Sequence, residues 1–385
     1  MRAPSAGDVS GAVADLGIFV PLVAALILVN GLDPGPLLLM AGALSLAAGL
    51  WFRIPFPVQP LKALTALAVA QQLAPEVIRA AGLLIGVILV VLTVTGLADR
   101  VASVFTRPVI RALQLAVGTL LIVAAHDLAV DPPELFVDPP SAGANLLLAT
   151  VTLMLVAMAV WRRRYAAAVV VVGVGVGVAW IAGEPQFGSL AVSGPVFAVP
   201  PVTVWPAAFV LLVIPQLPLT YGNAVVGMAD LARQEFPGAD RVRPGTVAMS
   251  CGLGNVGSAL MGGMPMCHGS SGFTAHVRLG ARTAAMNVLL GGGFIVLGLA
   301  FSEQVLVIFG LLPVWALAGF LAYAGLRHAL LVADLRGRAL GVALVAATAG
   351  IATGNLAVTT VIALVGEWLP RLASRRDRRR AGRPA

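Results

Sequence analysis

Gly262-Gly-Met-Pro-Met-Cys-His-Gly-Ser-Ser-Gly-Phe-Thr-Ala275 decides how the rest of this sequence is read. The stretch lies deep in an apolar chain, yet its glycines, proline, serines and histidine do not make an ordinary membrane helix. Backbone that leaves the helix inside a bilayer must be enclosed by protein or line a cavity, because lipid offers it no hydrogen bonds. Helix can resume only after Pro265, which makes the turn from Met266 to Ser271 a helix N-terminus with free N–H groups beside small or hydroxylic side chains. Such an end attracts anions. The plainer reading is a kink with close helix packing, for which Gly and Ser serve equally well.

The composition places this stretch in a membrane. Of 385 residues 59% are hydrophobic and 11% charged, with a mean hydropathy of +0.96. That excludes a soluble domain and points to an all-α polytopic membrane protein in a lipid bilayer, since each spanning helix needs roughly 20 apolar residues. The net charge of +8 is no nucleic-acid signature. It comes mostly from Arg in short loops and the tail, where it sets orientation. Cys251 and Cys267 lie in or beside apolar segments and give no disulfide framework. No clustered metal ligands, cofactor motif or nucleophile–base pairing stands out, so neither a cofactor nor an enzyme activity is expected. The start lacks the charge-then-apolar pattern of a signal peptide, and beyond Pro370 only an Arg-rich tail is expected.

Fourteen helices are predicted. They are Val13–Val29, Pro36–Phe52, Val58–Leu73, Val77–Leu97, Arg107–Ala125, Ala144–Val160 and Tyr165–Ala182, then Val204–Leu231, Gly245–Met261, Met266–Arg278, Thr283–Phe301, Gln304–Leu326, Ala339–Thr353 and Asn355–Leu369. Loops after the even-numbered helices carry Arg100 and Arg107, Arg162 to Arg164, Arg233 to Arg243, Arg278 and Arg282, and Arg327 to Arg338. The opposite loops are poor in base: Asp127 to Asp138 holds four acids and no Lys or Arg. Arg79 is the exception. This positive-inside pattern predicts both termini in the cytoplasm and the chain in the plasma (inner) membrane.

The opening stretch has a partner. In Gly49-Leu-Trp-Phe-Arg-Ile-Pro-Phe-Pro57 a glycine stands eight residues before Pro57, as Gly257 stands eight before Pro265. Both breaks follow two helices of their own half, and seven helices separate them, so they run in opposite directions. The chain therefore reads as a 7+7 inverted repeat in one transmembrane domain, 1–370, with repeats at about 8–183 and 204–370 and a basic tail at 371–385. Two discontinuous helices then point their N-termini at each other near the midplane, as at the substrate site of a secondary transporter. Leu16-Gly-Ile-Phe-Val-Pro-Leu22 has a counterpart in Val213-Ile-Pro-Gln-Leu-Pro-Leu-Thr-Tyr-Gly-Asn223, whose Thr220 and Asn223 are polar groups one turn apart.

Charge at depth narrows the ligand. Lys62 is the only lysine in the chain and opens the broken third helix. An ionised Lys there costs about 2.5–3.5 kcal/mol to insert, so it needs a partner. Asp15 and Asp8 are the counter-ion candidates; the substrate is the other. Arg53, just before the break, adds positive potential or faces the cytoplasm. His268 could donate to an anion or take up a proton. Between Asp240 and Glu303, and from Trp205 to Ala229, there is no Asp or Glu. A cation would find nothing there to neutralise it, and every feature favours an anion.

Pro-Phe-Pro-Val-Gln-Pro-Leu-Lys-Ala (Pro55–Ala63), Pro-Gln-Leu-Pro-Leu-Thr-Tyr-Gly-Asn-Ala (Pro215–Ala224), Met-Pro-Met-Cys-His-Gly-Ser-Ser-Gly (Met264–Gly272) and Asp15-Leu-Gly with Pro21 together resemble the molybdate transporter family, a branch related to the sulfate permeases. The likeness covers nearly the whole chain. It implies the fold of the uracil permeases and sulfate transporters, with a core domain moving against a gate domain, and no cytoplasmic STAS domain. It implies transport of a tetrahedral oxyanion, molybdate before sulfate or tungstate. The reading of the two broken helices makes Gln59, Pro60, Lys62, Thr220, Asn223, Cys267, His268, Gly269, Ser270 and Ser271 the expected substrate contacts, with Asp15 and His268 as candidate coupling or counter-ion groups. Ser270 and Ser271 depart from the smaller residues expected there. Proton coupling and a homodimer stay open. A nucleobase–proton symporter of the same fold would place carboxylates in the eighth and tenth helices, and this sequence has none there.

Overall fold

The structure, a computed structural model, describes residues 3–381 except Asp138, Glu184, Gln186, 188–193 and Val196. The expected repeat boundary near 183–204 and the end of the basic tail therefore lie partly outside the described residues. Helix α1 (Ala6–Leu28) begins seven residues before the predicted Val13, because Ser5 and Asp8 form a capping box that satisfies its first turn. Next come α2 (Pro34–Phe52), strand β1 (Gln59–Pro60), α3 (Lys62–Ala70), α4 (Pro75–Val94), the short α5 (Leu97–Ala102), α6 (Arg107–Val130), α7 (Ala142–Trp161) and α8 (Ala166–Gly183).

The second half starts with α9, a continuous span of Val202–Glu235, and α10 (Pro244–Leu260). Strand β2 (Met266–Cys267), α11 (Ser270–Arg278) and α12 (Ala285–Ala300) follow. The predicted twelfth helix, Gln304–Leu326, is divided into α13 (Val305–Gly310) and α14 (Val314–Ala329). Pro313 accounts for the break, since it lacks an N–H and disfavours helix in the residue before it. The chain closes with α15 (Gly337–Thr353) and α16 (Leu356–Ala381). Among the described residues seven helices are long and apolar enough to cross a membrane, with four shorter apolar ones beside them. Helices α3 and α11, nine residues each, are half-length.

Both half-helices start four residues later than predicted, at Lys62 and Ser270 instead of Val58 and Met266. The residues ahead of them run as β1 and β2, which pair antiparallel with Gln59 opposite Cys267 and Pro60 opposite Met266. Pro60 biases Gln59 towards extended backbone, and pairing across the molecule supplies the hydrogen bonds that unwound chain would lack in lipid.

The packing carries the symmetry of the repeat. Helix α2 packs on α12, and α4 on α10, so the second helix of each half lies on the fourth of the other. Each crossing is a pair of glycines. A Cβ on Gly291 would stand 2.8 Å from the Gly42 carbonyl oxygen, and one on Gly252 would stand 3.0 Å from that of Gly86. Small residues let backbones touch where lipid gives helices no hydrophobic drive to associate. A second group forms around α6, which packs on α14, α15 and α16, while α7 packs on α14.

Ion pairs tie the end of α11 and the loop after it to the end of α9. Arg278 and Arg282 both reach Glu235, at 2.8 and 3.3 Å. Asp8 accepts the backbone N–H groups of Arg282 and Thr283 at 3.0 and 2.9 Å. Asp8 is thereby engaged away from Lys62. Arg79, the outlier in the charge pattern, donates to the carbonyls of Ala259 and Ala198 and braces two chain segments.

Candidate functional site

The strand pair is held from both sides by asparagines. Asn255 on α10 accepts the N–H of Met266 at 2.8 Å and donates to its carbonyl at 2.7 Å. Asn287 on α12 does the same for Phe56, at 2.8 and 2.6 Å. Each amide replaces a missing strand partner, which keeps broken backbone satisfied inside the protein. His268 is a third brace: its Nδ1 lies 2.8 Å from the Pro57 carbonyl and its Nε2 2.9 Å from the Ser250 hydroxyl. A carbonyl can only accept, so Nδ1 carries the proton and Nε2 accepts from Ser250. His268, expected to donate to the anion or take up a proton, stands at the strand crossing with both ring nitrogens engaged by protein.

On this frame sits a polar chain. Lys62, the first residue of α3, donates from Nζ to Gln59 Oε1 at 2.8 Å. Gln59 Nε2 donates to Asp15 Oδ1. Asp15 is therefore tied to Lys62 through an amide, and no direct salt bridge joins them among the described residues. Lys62 also stands at the start of the opposite half-helix: a Cβ on Gly269, the N-cap of α11, would be 3.3 Å from Nζ. The first N–H groups of any helix lack intrahelical acceptors. In α3 that of Leu64 is taken by Gln216 Oε1 at 2.8 Å. The remaining positive ends of α3 and α11 and the Lys62 ammonium converge on one place, which suits an anion.

Helix α9 passes this place with wide, i→i+5 turns over Thr220–Gly227, the kind of bulge that re-aims side chains at functional sites. Gln216 Nε2 donates to Thr220 Oγ1 at 2.9 Å, and Ser270 Oγ donates to Asn223 Oδ1. His328 on α14 reaches α11 as well, 3.0 Å from Thr274 Oγ1. Ser271 Oγ is buried with no hydrogen-bond partner among the described residues.

A cavity of about 940 Å³ leads to this cluster. It is lined by Gly17, Pro21 and Leu22 of α1, Lys62 and Ala63 of α3, and residues of α6 and α9, and it reaches Asp127, Asp131 and Asn355. Of the ten expected substrate contacts only Lys62 lines it. Gln59, Pro60, Thr220, Asn223, Cys267, His268, Gly269, Ser270 and Ser271 are buried behind it. Asp127 lies 16 residues after Arg111 on α6, roughly 24 Å at about 1.5 Å per residue. The end near Arg111 is closed. There the fully buried Arg111 bridges Asp230 of α9 at 2.9 Å and Asp334 at 2.6 Å, while Arg107 also holds Asp334 at 2.6 Å.

Sequence reasoning overlooked Gln216, Asn255, Asn287, Arg111, His276 and His328. The rule that an ionisable side chain at membrane depth is functional by default would have flagged Arg111, His276 and His328. No comparable signal marks the amides.

The tight glycine of the site is Gly272, whose Cβ would fall 2.5 Å from Gln59 Nε2. At Gly269, the glycine nearest Lys62, a Cβ would press on the mobile end of that side chain at 3.3 Å and touch Gln59 Oε1 and Cys267 Sγ at ordinary contact distances of 3.6 and 3.7 Å. Gly272→Ala should therefore cost about 1–3 kcal/mol by overpacking and weaken anion binding through Gln59, whereas Gly269→Ala should be milder. Thermal melting and anion titration of both variants check this; equal behaviour would mean that Gln59 does not position Lys62.

The family model described as "Molybdate transporter of MFS superfamily" matches residues 7–121 and 208–327, one segment in each half. Molybdate transporter 2 of Arabidopsis thaliana is 28% identical over 382 residues, covering 88% of this chain and 81% of that one. Molybdate transporter 1 of the same plant is 30% identical over 365 residues, covering 85% and 80%. Among solved structures, the transmembrane domain of the cyanobacterial bicarbonate transporter BicA superposes with a TM-score of 0.59 at 15% identity, over 94% of this chain and 96% of that one. SLC26A9 superposes with a TM-score of 0.58 at 15% identity, over 95% of this chain and 64% of that one. At such identity these two likenesses carry the fold alone, that of a multi-pass membrane transporter.

Proposed function

The chain belongs to the family of molybdate transporters, and from that premise we propose that it is a secondary active transporter of a tetrahedral oxyanion, molybdate before sulfate or tungstate. The observation that carries this reading is Lys62. The chain's only lysine sits on the cavity wall, at the first turn of one half-helix and beside the N-cap of the other. The anion would enter from the face of Asp127 and Asp131, meet the Lys62 ammonium and the first N–H groups of α3, and be held against the α11 end. Thr220, Asn223, Ser270 and Ser271 would support it from behind. Movement of the group around α2, α4, α10 and α12 against the group around α6 and α14 would then carry the site to the other face.

The same reading gives fourteen crossings as two inverted repeats, both termini cytoplasmic and the cavity facing outward, in the cell's inner membrane. Cysteine accessibility from either side at Glu134 and Arg338 tests the orientation; labelling of both from one side would break it, and Glu134 from the cytoplasmic side with Arg338 from the other would reverse it. Substrate is tested by calorimetric titration of the purified protein with molybdate, followed by competition with sulfate, tungstate and uracil. Molybdate binding that tungstate and sulfate displace to different degrees, and uracil not at all, is expected. Binding of uracil alone would favour the nucleobase symporter.

A further inference from the structure

We propose that Asp15 and His276 form a proton site that loads one proton when the oxyanion binds, so that transport is proton-coupled. The inference rests on the oxyanion reading above and names its coupling group. Helix α11 packs on α1. The Nδ1 of His276 lies 2.8 Å from the Gly11 carbonyl oxygen. That oxygen only accepts, so Nδ1 carries the ring's proton and neutral His276 turns the lone pair of Nε2 outward. What Nε2 faces is Asp15 Oδ1, 3.7 Å away, with both side chains fully buried. Nε2 and Asp15 Oδ2 have no hydrogen-bond partner among the described residues. Nε2 thus faces an oxygen that already has the Gln59 bond but is itself only an acceptor, so the ring nitrogen is buried with no donor opposite it, a costly arrangement. One proton between them resolves it. The proton comes from solution and binds the Nε2 lone pair, and the imidazolium then donates to the carboxylate; no other bond forms or breaks. His276 is also in the last turn of α11, where the helix carbonyls favour a cation.

The pair is wired to the cavity. Asp15 accepts from Gln59, and Gln59 accepts from Lys62, which lines the cavity wall. With Asp15 ionised and Lys62 protonated the chain is neutral, and a bound dianion would leave two negative charges in a desolvated site. A proton on the pair removes one of them. By linkage, an anion that prefers the protonated pair raises that pair's proton affinity by the same factor. The other groups around α11 do not offer this. Cys267 lies beside Lys62 at the far end of the chain. His328 on α14 engages Thr274. Tyr323 shares an apolar cluster with Ala14, Ala275 and Leu279, and Arg278, the last residue of α11, is paired with Glu235.

The test measures protons directly. Purified protein in weakly buffered detergent solution with a pH-indicator dye is mixed with sodium molybdate near pH 7, with binding followed in parallel by calorimetry. The wild type should take up as much as one proton per molybdate bound. His276→Gln should bind molybdate within a few-fold of wild type and take up none; Asp15→Asn should likewise take up none, and His328→Gln should keep the uptake. In proteoliposomes, acidifying the outside by one unit should stimulate wild-type uptake several-fold and leave His276→Gln unchanged. Wild-type binding without proton uptake overturns the proposal, as does full uptake by His276→Gln or its loss in His328→Gln alone. Should His276→Gln fail to fold, the wild-type dye signal still decides. If the wild type binds no oxyanion, the transport reading itself fails, a different result from binding without protons.

Discussion

Replacing Lys62 with Ala should weaken molybdate binding by roughly 30- to 150-fold, about 2–3 kcal/mol at about 1.4 kcal/mol per decade, the lower part of the range for truncating one member of a desolvated charge pair. The lower part applies because Lys62 reaches the cavity and is only half-buried. Loss of the ammonium also strips Gln59 of its donor, so the amide can turn away from Asp15. Lys62→Met, which keeps the length and removes the charge, should resemble Lys62→Ala. Lys62→Arg should retain part of the affinity, limited by the larger planar head that must fit beside Gly269. Calorimetry on the three variants, with thermal melting as a check on folding, is sufficient. Wild-type affinity in Lys62→Met would remove charge from the account and leave Lys62 as a structural partner of Gln59.

The second large effect is expected at Arg111. Its guanidinium is fully buried and holds Asp230 on α9 and Asp334 after α14 at once, with Gln114 accepting a further bond at 2.8 Å. Removing one member of such a cluster leaves the other charges without it. Because Asp230 and Asp334 keep 22% and 31% side-chain exposure and Asp334 retains Arg107, Arg111→Leu should destabilise by about 2–3 kcal/mol, below the full value for a buried pair. Adding Asp230→Asn should recover part of that loss, since the stranded carboxylate is then gone. The contact joins the α6 group to the α9 end at the closed face, so the variant should also admit thiol reagents from that face to a cysteine placed at Thr274. An unaltered melting curve and unaltered labelling would show that Arg111 neither holds the closed face nor supports the fold.

Much of this protein is decided by local chemistry, and the sequence alone determines that part. Membrane residence, the symmetric breaks at Pro57 and Pro265, and Lys62 as the exceptional charge all follow from composition and spacing. They are legible because lipid imposes one strict rule, that every backbone polar group be satisfied within the protein. That rule turns each run of Gly, Pro and Ser at depth into a statement about structure. Tertiary structure alone decided how the rule is met. Pairing of β1 with β2, the Asn287 amide on Phe56 and the shift of both half-helix starts to Lys62 and Ser270 depend on chain segments from the two opposite halves, while Asn255 reaches Met266 from 11 residues away. It also sorted the charged groups. Asp15 meets Lys62 through Gln59, and the Gly11 carbonyl holds His276 with its Nε2 lone pair towards Asp15. His268 is bound at both nitrogens. Nothing in their spacing separates these two histidines: which one has a free lone pair depends on which carbonyl, hydroxyl or carboxylate the fold brings within about 3–4 Å.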